Sequence, residues 1–240
     1  MNDRPATGAR EASRRRLDPA FGSNKLLEIQ RMKTACDNDG ALLVDGSLPE
    51  PGPFDVRGET IAAACKASES WSTLQLIYQL VVLEAPGVVV ELGTNLGFSS
   101  AYIAAALSAL GRGGRLFTID ASPYRARFAR RLHAGLGLGG VDYRVGLFED
   151  VLPGLLDELP VVDLAFIDGQ HEHDATLRFF ELLSANCPGG AVLLFDDILN
   201  YSPEMSRAWS AVRTHAAVHS WAEFGDVGMV ILGDRPGSNR

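Results

Sequence analysis

The chain has 240 residues, of which 46% are hydrophobic, and a formal net charge of −8. This length and apolar content suffice for one domain with a substantial core, and the acidic balance argues against nucleic acid as a partner. No stretch approaches the roughly 18 uninterrupted apolar residues of a membrane span. The polar start, with Arg14-Arg15-Arg16, has no signal-peptide core.

Three widely spaced cysteines, Cys36, Cys65 and Cys187, form no CxxC pair, and the expected setting is cytoplasmic with reduced thiols. In chain order, residues 1–23 read as a disordered tail and 24–44 as a helix, followed by a Pro/Gly-rich connector from Pro49 to Pro53. A second helical stretch is expected over 59–84, with Trp71, Leu74, Leu76, Ile77 and Leu80 as its apolar positions.

From residue 85 to 235 the pattern alternates. Strands are expected at 88–92, 115–120, 142–145, 162–168 and 191–196, and helices at 97–110, 122–136, 149–157, 172–186 and 203–216. Short Gly- or Pro-bearing turns between them imply an α/β fold with a doubly wound, mostly parallel sheet. The runs 218–224 and 227–232 are separated only by Gly225-Asp226, which is hairpin spacing, so the sheet should have seven strands and end in an antiparallel hairpin. Residues 236–240 read as a tail.

The most telling segment is Val88-Val89-Val90-Glu91-Leu92-Gly93-Thr94-Asn95-Leu96-Gly97-Phe98-Ser99-Ser100. It reads as a buried parallel strand turning through a Gly loop into a helix, which brings backbone N–H groups near a ligand at the carboxyl edge of the sheet. A dinucleotide fingerprint would have a close Gly pair and an acid about 20 residues on. Here there is no such pair, and Asp120 follows Gly93 by 27 positions. Two later expected strands also end in acids, Asp168 in Ile167-Asp168-Gly169-Gln170-His171 and the pair Asp196-Asp197 in Phe195-Asp196-Asp197-Ile198. Carboxylates converging on one rim repel one another unless a cation lies among them, and hard divalent ions prefer such oxygen ligands.

The E-x-G-x-x-x-G loop, the acid at Asp120 and the terminal hairpin together resemble the class I S-adenosylmethionine (SAM) methyltransferases. The resemblance is to the small-molecule O-methyltransferases of the catechol and caffeoyl-CoA type and, within them, to the metal-dependent sugar-modifying natural-product branch. It implies a Rossmann-like SAM-binding domain at 85–235, with the helices of 24–84 as a lid. Glu91, Gly93, Thr94, Asn95, Gly97 and Ser99 would surround the methionine part of SAM, Asp120 and Ala121 the ribose, and Gly146, Leu147 and Phe148 the adenine, with Asp168 reaching the same cleft.

The resemblance further implies Mg²⁺ on Asp168, Asp196 and Asp197, with Asp168 and His171 as the catalytic pair and His171 as general base. The catechol and caffeoyl-CoA enzymes have Asn where Asp197 stands and Lys where His171 stands, so both positions match the sugar-modifying branch better. The acceptor is expected to be a small hydroxylated molecule (a phenol, a sugar or another natural product), and family analogy allows a homodimer.

Other readings stay open at this point. Glu91 and Asp120 would serve equally as solvated strand-end acids, and Phe148 as core. The later acids and His171 would serve as loop and helix caps, and Trp209 as core. The same fold would also suit a metal-independent methyltransferase or a non-catalytic SAM-binding protein, and a nicotinamide oxidoreductase is disfavoured by the loop spacing, the distance to Asp120 and the terminal hairpin.

Overall fold

Seven short strands pair into one sheet, and their register determines where the loops between them meet. The computed structural model describes residues 19–44, 56–199 and 201–234. Its elements are α1 (Pro19–Cys36), α2 (Ile61–Lys66), α3 (Trp71–Glu84), β1 (Val88–Leu92), α4 (Phe98–Leu110), β2 (Arg115–Asp120), α5 (Pro123–Gly135), β3 (Val141–Val145), α6 (Phe148–Glu158), β4 (Leu164–Ile167), α7 (His173–Asn186), β5 (Val192–Phe195), α8 (Pro203–Arg213), β6 (Val218–Phe224) and β7 (Val227–Leu232).

The strand order is β3-β2-β1-β4-β5-β7-β6, with β1 to β5 parallel and β7 antiparallel to both its neighbours. This is the expected seven-stranded, mostly parallel sheet with a terminal hairpin. One detail was not legible beforehand: β7 inserts beside β5, and β6 takes the edge.

Side-chain alternation divides the core. Val89, Leu116, Leu164, Phe166, Val192 and Leu194 face α3 and α4. Val90, Leu92, Phe117, Ile119, Ala165, Ile167, Leu193 and Phe195 face α6, α7 and α8. The small-residue helix α4 is buried along Phe98–Leu107, because Ala101, Ala104, Ala105 and Ala106 let neighbouring backbones approach closely.

The N-terminal region departs from expectation in three ways. Residues 1–18, and with them most of the expected disordered tail, lie outside the described residues, whereas 19–23 already belong to the backbone of α1. The expected helix over 24–44 stops at Cys36 because the polar run after it competes for backbone partners: Asn38 Nδ2 donates to Thr34 O at 3.1 Å, and Asp39 Oδ1 accepts from Ala41 N at 2.9 Å. Leu42 then forms an antiparallel bridge to Thr60.

The expected helix over 59–84 is two helices. The Thr60 hydroxyl caps α2 through Ala63 N at 3.1 Å and the Ser70 hydroxyl caps α3 through Thr73 N at 3.2 Å, which leaves residues 67–70 as a connector. The Pro49–Pro53 connector and the 236–240 tail lie outside the described residues.

Trp209 is core. It is 3% exposed, packs on Phe195 and Trp221, and donates its Nε1–H to Glu223 Oε1 at 2.7 Å. Gly228 in β7 lies beneath its ring, where a Cβ would come within 2.7 Å of Cη2 and Cζ3. Gly228→Ala is therefore expected to destabilise the protein by about 1–3 kcal/mol through overpacking. In thermal unfolding, the Gly228→Ala/Trp209→Phe double variant should be more stable than the sum of its singles.

Candidate active site

Leu92 at the end of β1 is level with Ile119 of β2 and Ile167 of β4, and Ile167 is level with Phe195 of β5. The loops following these strands therefore open on one rim, at the point where chain order reverses across β1. They enclose a cleft of about 590 Å³, an ordinary size for a small-molecule site.

The floor is the Gly loop. Gly93, at φ +108, and Thr94 both donate their N–H groups to Ile119 O, at 3.0 and 3.2 Å. A Cβ on Gly93 would lie 1.8 Å from Asp168 O, so this position requires glycine on both counts. Gly97 N-caps α4, and the Nε2–H of buried His133 donates to its carbonyl at 2.7 Å. That bond determines the tautomer, so His133 Nδ1 accepts from Tyr143 Oη at 2.5 Å. Burial pushes the His133 pKa down and keeps the ring neutral. Nothing in the sequence distinguished His133, whose role depends on a contact 36 residues away.

Asp120 closes β2 with both oxygens engaged, Oδ2 accepting from Asn95 N at 2.7 Å and Oδ1 from Ser122 N at 2.8 Å. Burial raises its pKa, and the Ser122 N–H and Arg125 draw it back. Asn95, Asp120, Ala121, Leu147 and Phe148 line the cleft with Gly93. Phe148 has two roles: it stacks edge-on against Phe179 at 5.6 Å while forming part of the cleft wall.

The other expected cofactor residues stand behind this wall. Glu91 is fully buried, its Oε2 accepting from Ser100 Oγ and, at 2.6 Å, from Thr118 Oγ1. Burial pushes the Glu91 pKa up to about 7 despite these hydroxyls. Thr94 bonds Thr118 at 2.6 Å, Ser99 is buried, and Gly146 N donates to Asp120 O at 3.0 Å. These residues shape the loop from beneath. Glu91 Oε1, Asn95 Oδ1 and Glu149 Oε2 are buried acceptors with no partner among the described residues. Of these, Asn95 and Glu149 line the cleft, where a donor-rich ligand such as SAM, with its ammonium, ribose hydroxyls and exocyclic amine, would find acceptors.

Next to Asp168 the rim is acidic. Oxygens of Glu69, Asp168 and Asp196 lie within 4.8 Å of one another, and no Lys or Arg ion pair reaches them among the described residues. Glu69 was not anticipated, because it falls where the sequence reads as continuous helix. Burial, then Asp168, pushes the Glu69 pKa up to about 8. Burial, then Glu69, pushes Asp196 up to about 9, and Asp168 is raised by burial and by Asp196. This donor set of hard oxygens suits a divalent cation.

Asp197 stands apart from these three. At φ +58, its Oδ2 is 3.6 Å from His171 Nε2, which in turn lies 3.7 Å from Asp168 Oδ1. Burial lowers the His171 pKa and Asp197 opposes this. The ring of Tyr201 covers the imidazole at 4.4 Å. Among the described residues, Asn95, Gln170 and Asp197 are three of the four non-glycine residues with positive φ, and each lies in a rim loop. Such backbone strain collects at functional sites.

Arg125 pairs with Glu59 at 2.7 Å on the cleft wall. Lys33 Nζ lies over the Trp71 ring at 5.3 Å, and Ala67 of the connector borders the cleft.

The raised acids give a signed dependence of stability on pH. A carboxyl whose folded pKa exceeds its unfolded value loses stability as pH rises from the unfolded towards the folded value. In a chelator, the melting temperature is therefore expected to fall between about pH 5 and pH 9, the window set by pKa values of about 8 and about 9 at Glu69 and Asp196. Melting curves of Glu69→Gln and Asp196→Asn should show a shallower slope.

Residues 90–198 match the family described as "Methyltransferase domain". A protein called "Transmembrane O-methyltransferase" from Homo sapiens is 36% identical over 129 residues, which is 52% of this chain and 43% of that protein. The chain thus spans less than half the length of such relatives. No helix among the described residues is long and apolar enough to cross a membrane. A "Catechol O-methyltransferase" from Niastella koreensis is 31% identical over 165 residues, 68% of this chain and 67% of that one. An O-methyltransferase from Bacillus cereus, solved in complex with SAH, has the same fold at 20% identity, with a TM-score of 0.61 over 87% of this chain and 90% of that one. With a relative matched over two thirds of its length, and with this strand order and Gly loop, the chain belongs to the class I SAM-dependent methyltransferases, in the small-molecule O-methyltransferase group that includes the catechol enzymes.

Proposed function

We propose that the protein transfers the methyl group of SAM to a hydroxyl of a small acceptor, a phenol, a sugar or another natural product. The observation carrying this reading is the position of His171, whose imidazole shares one cleft with the Gly93 loop and Asp120 while its Nε2 is flanked by Asp168 and Asp197. A histidine of lowered pKa is neutral near pH 7 and can accept a proton there.

The acceptor hydroxyl gives its proton to His171 Nε2 as its oxygen attacks the sulfonium methyl in line. The O–CH₃ bond forms, the S–CH₃ bond breaks with its electron pair going to sulfur, and the positive charge moves from sulfur to the imidazolium. Asp197, at 3.6 Å, stabilises that imidazolium. Asp120 and the Gly93 loop hold the cofactor, and alignment of the two reactants contributes most of the acceleration.

Asp168 and Asp196 would hold a Mg²⁺ ion, which when bound supplies charge stabilisation for a developing alkoxide or phenolate. Asp197 and His171, standing where the catechol enzymes have Asn and Lys, support the sugar-modifying branch. A cytoplasmic setting and a homodimer belong to the same reading and rest on composition and family analogy.

His171→Asn is expected to lower kcat by about 10²–10⁴-fold while leaving the Kd for SAH, read by calorimetry, nearly unchanged. Retained turnover in that variant would remove His171 from proton transfer. Asp196→Asn should abolish turnover with cofactor binding kept, and EDTA should do the same to the wild type in an assay of methyl transfer to a panel of vicinal diols. Full activity in EDTA would leave a metal-independent methyltransferase.

A further inference from the structure

The rim acids come from two unrelated parts of the chain. Asp168 and Asp196 follow β4 and β5, whereas Glu69 lies on the connector between α2 and α3, before the sheet begins. Helix formation stops at Lys66 and resumes at Trp71, where the Ser70 hydroxyl captures Thr73 N. The residue just before that cap is thereby released from helical geometry and turned towards the rim.

A second contact holds the connector there. Asn95 Nδ2 donates to Ala64 O at 3.0 Å and to Ser68 Oγ at 3.4 Å, while the Asn95 N–H is bound by Asp120. The connector is thus tied to the Gly loop on one side and brings a carboxylate to the sheet acids on the other. Asp197, the sheet-edge candidate for a third ligand, has its carboxylate turned to His171 instead.

We propose that Glu69 is a ligand of the divalent cation, brought in by the α2–α3 connector in the place Asp197 leaves open, so that cation binding fastens the N-terminal helices over the cofactor cleft. This rests on the cation reading given above, which Asp168 and Asp196 carry independently. Its consequence is an order of events. With Glu69 ligated, the connector bearing Ala67 closes the cleft wall, so bound metal retains the cofactor and shields the reacting methyl from water.

The test uses the full chain with SAH present and Mg²⁺ as the titrant, read by calorimetry and by hydrogen exchange of peptides covering 61–72. In the wild type, Mg²⁺ should bind and slow exchange in that segment. Glu69→Gln is expected to bind Mg²⁺ on the order of 10- to 100-fold more weakly and to show no Mg²⁺-dependent slowing. Glu69→Asp, which keeps the charge and shortens the reach, should bind with intermediate affinity and controls for loss of the fold. Asp197→Asn should stay close to the wild type.

If Glu69→Gln matches the wild type while Asp196→Asn does not bind, the role of Glu69 is overturned and the sheet-edge cation site survives. If Asp197→Asn is the variant that loses Mg²⁺, the third ligand is Asp197 and the inference also fails. If the wild type takes up no Mg²⁺, the cation reading and the inference fall together.

Discussion

The site depends on the register of four parallel strands. Because Leu92 is level with both Ile119 and Ile167, and Ile167 with Phe195, the chain leaves β1, β2, β4 and β5 at nearly the same height. A parallel ladder permits this because every strand runs the same way and its return path is a helix on a face of the sheet. Gly93, Asp120, Asp168 and Asp196 each follow or end one of these strands and so share a rim. Slipping one strand by a single residue would exchange its two faces as well as move its acid, so the pattern that builds the core also aligns the chemistry.

Alignment creates an electrostatic conflict that the packing does not relieve. Glu69, Asp168 and Asp196 are brought together in a partly desolvated place, and their carboxyls are all pushed up by burial and by one another. By contrast, Arg125 is paired with Glu59, and Asp120 is held by two backbone N–H groups. An acidic set that no Lys or Arg pairs among the described residues is characteristic of a site that stores free energy for a ligand. The loop strain at Asn95, Gln170 and Asp197 falls along the same rim, where the backbone is bent to aim side chains inward.

Rigidity around the cofactor loop comes from behind it. His133 holds Gly97 in place, Tyr143 holds His133, and the hydroxyls of Ser100 and Thr118 hold Glu91. The wall residues Asn95, Leu147 and Phe148 meet the cleft, while Glu91, Thr94, Ser99 and Gly146 act through them. A loop motif read in one dimension cannot separate these two groups, because both lie within a few residues of the same glycines.

Residues whose meaning is local were legible in the sequence. The Val-rich run ending at Leu92, the acid closing β2, the acids after β4 and β5, and the Gly225-Asp226 hairpin each carry their signal within a few positions, since strand periodicity and turn chemistry are short-range. They were sufficient to indicate the sheet, its terminal hairpin and the rim acids. The tertiary structure alone decided Glu69, the break between α2 and α3, the insertion of β7 beside β5, the brace at His133 and the turning of Asp197 towards His171. Each of these rests on contacts between distant parts of the chain, or on a hydroxyl cap prevailing over helix continuation. Such outcomes depend on which surfaces meet after folding, and a window of sequence contains no record of that.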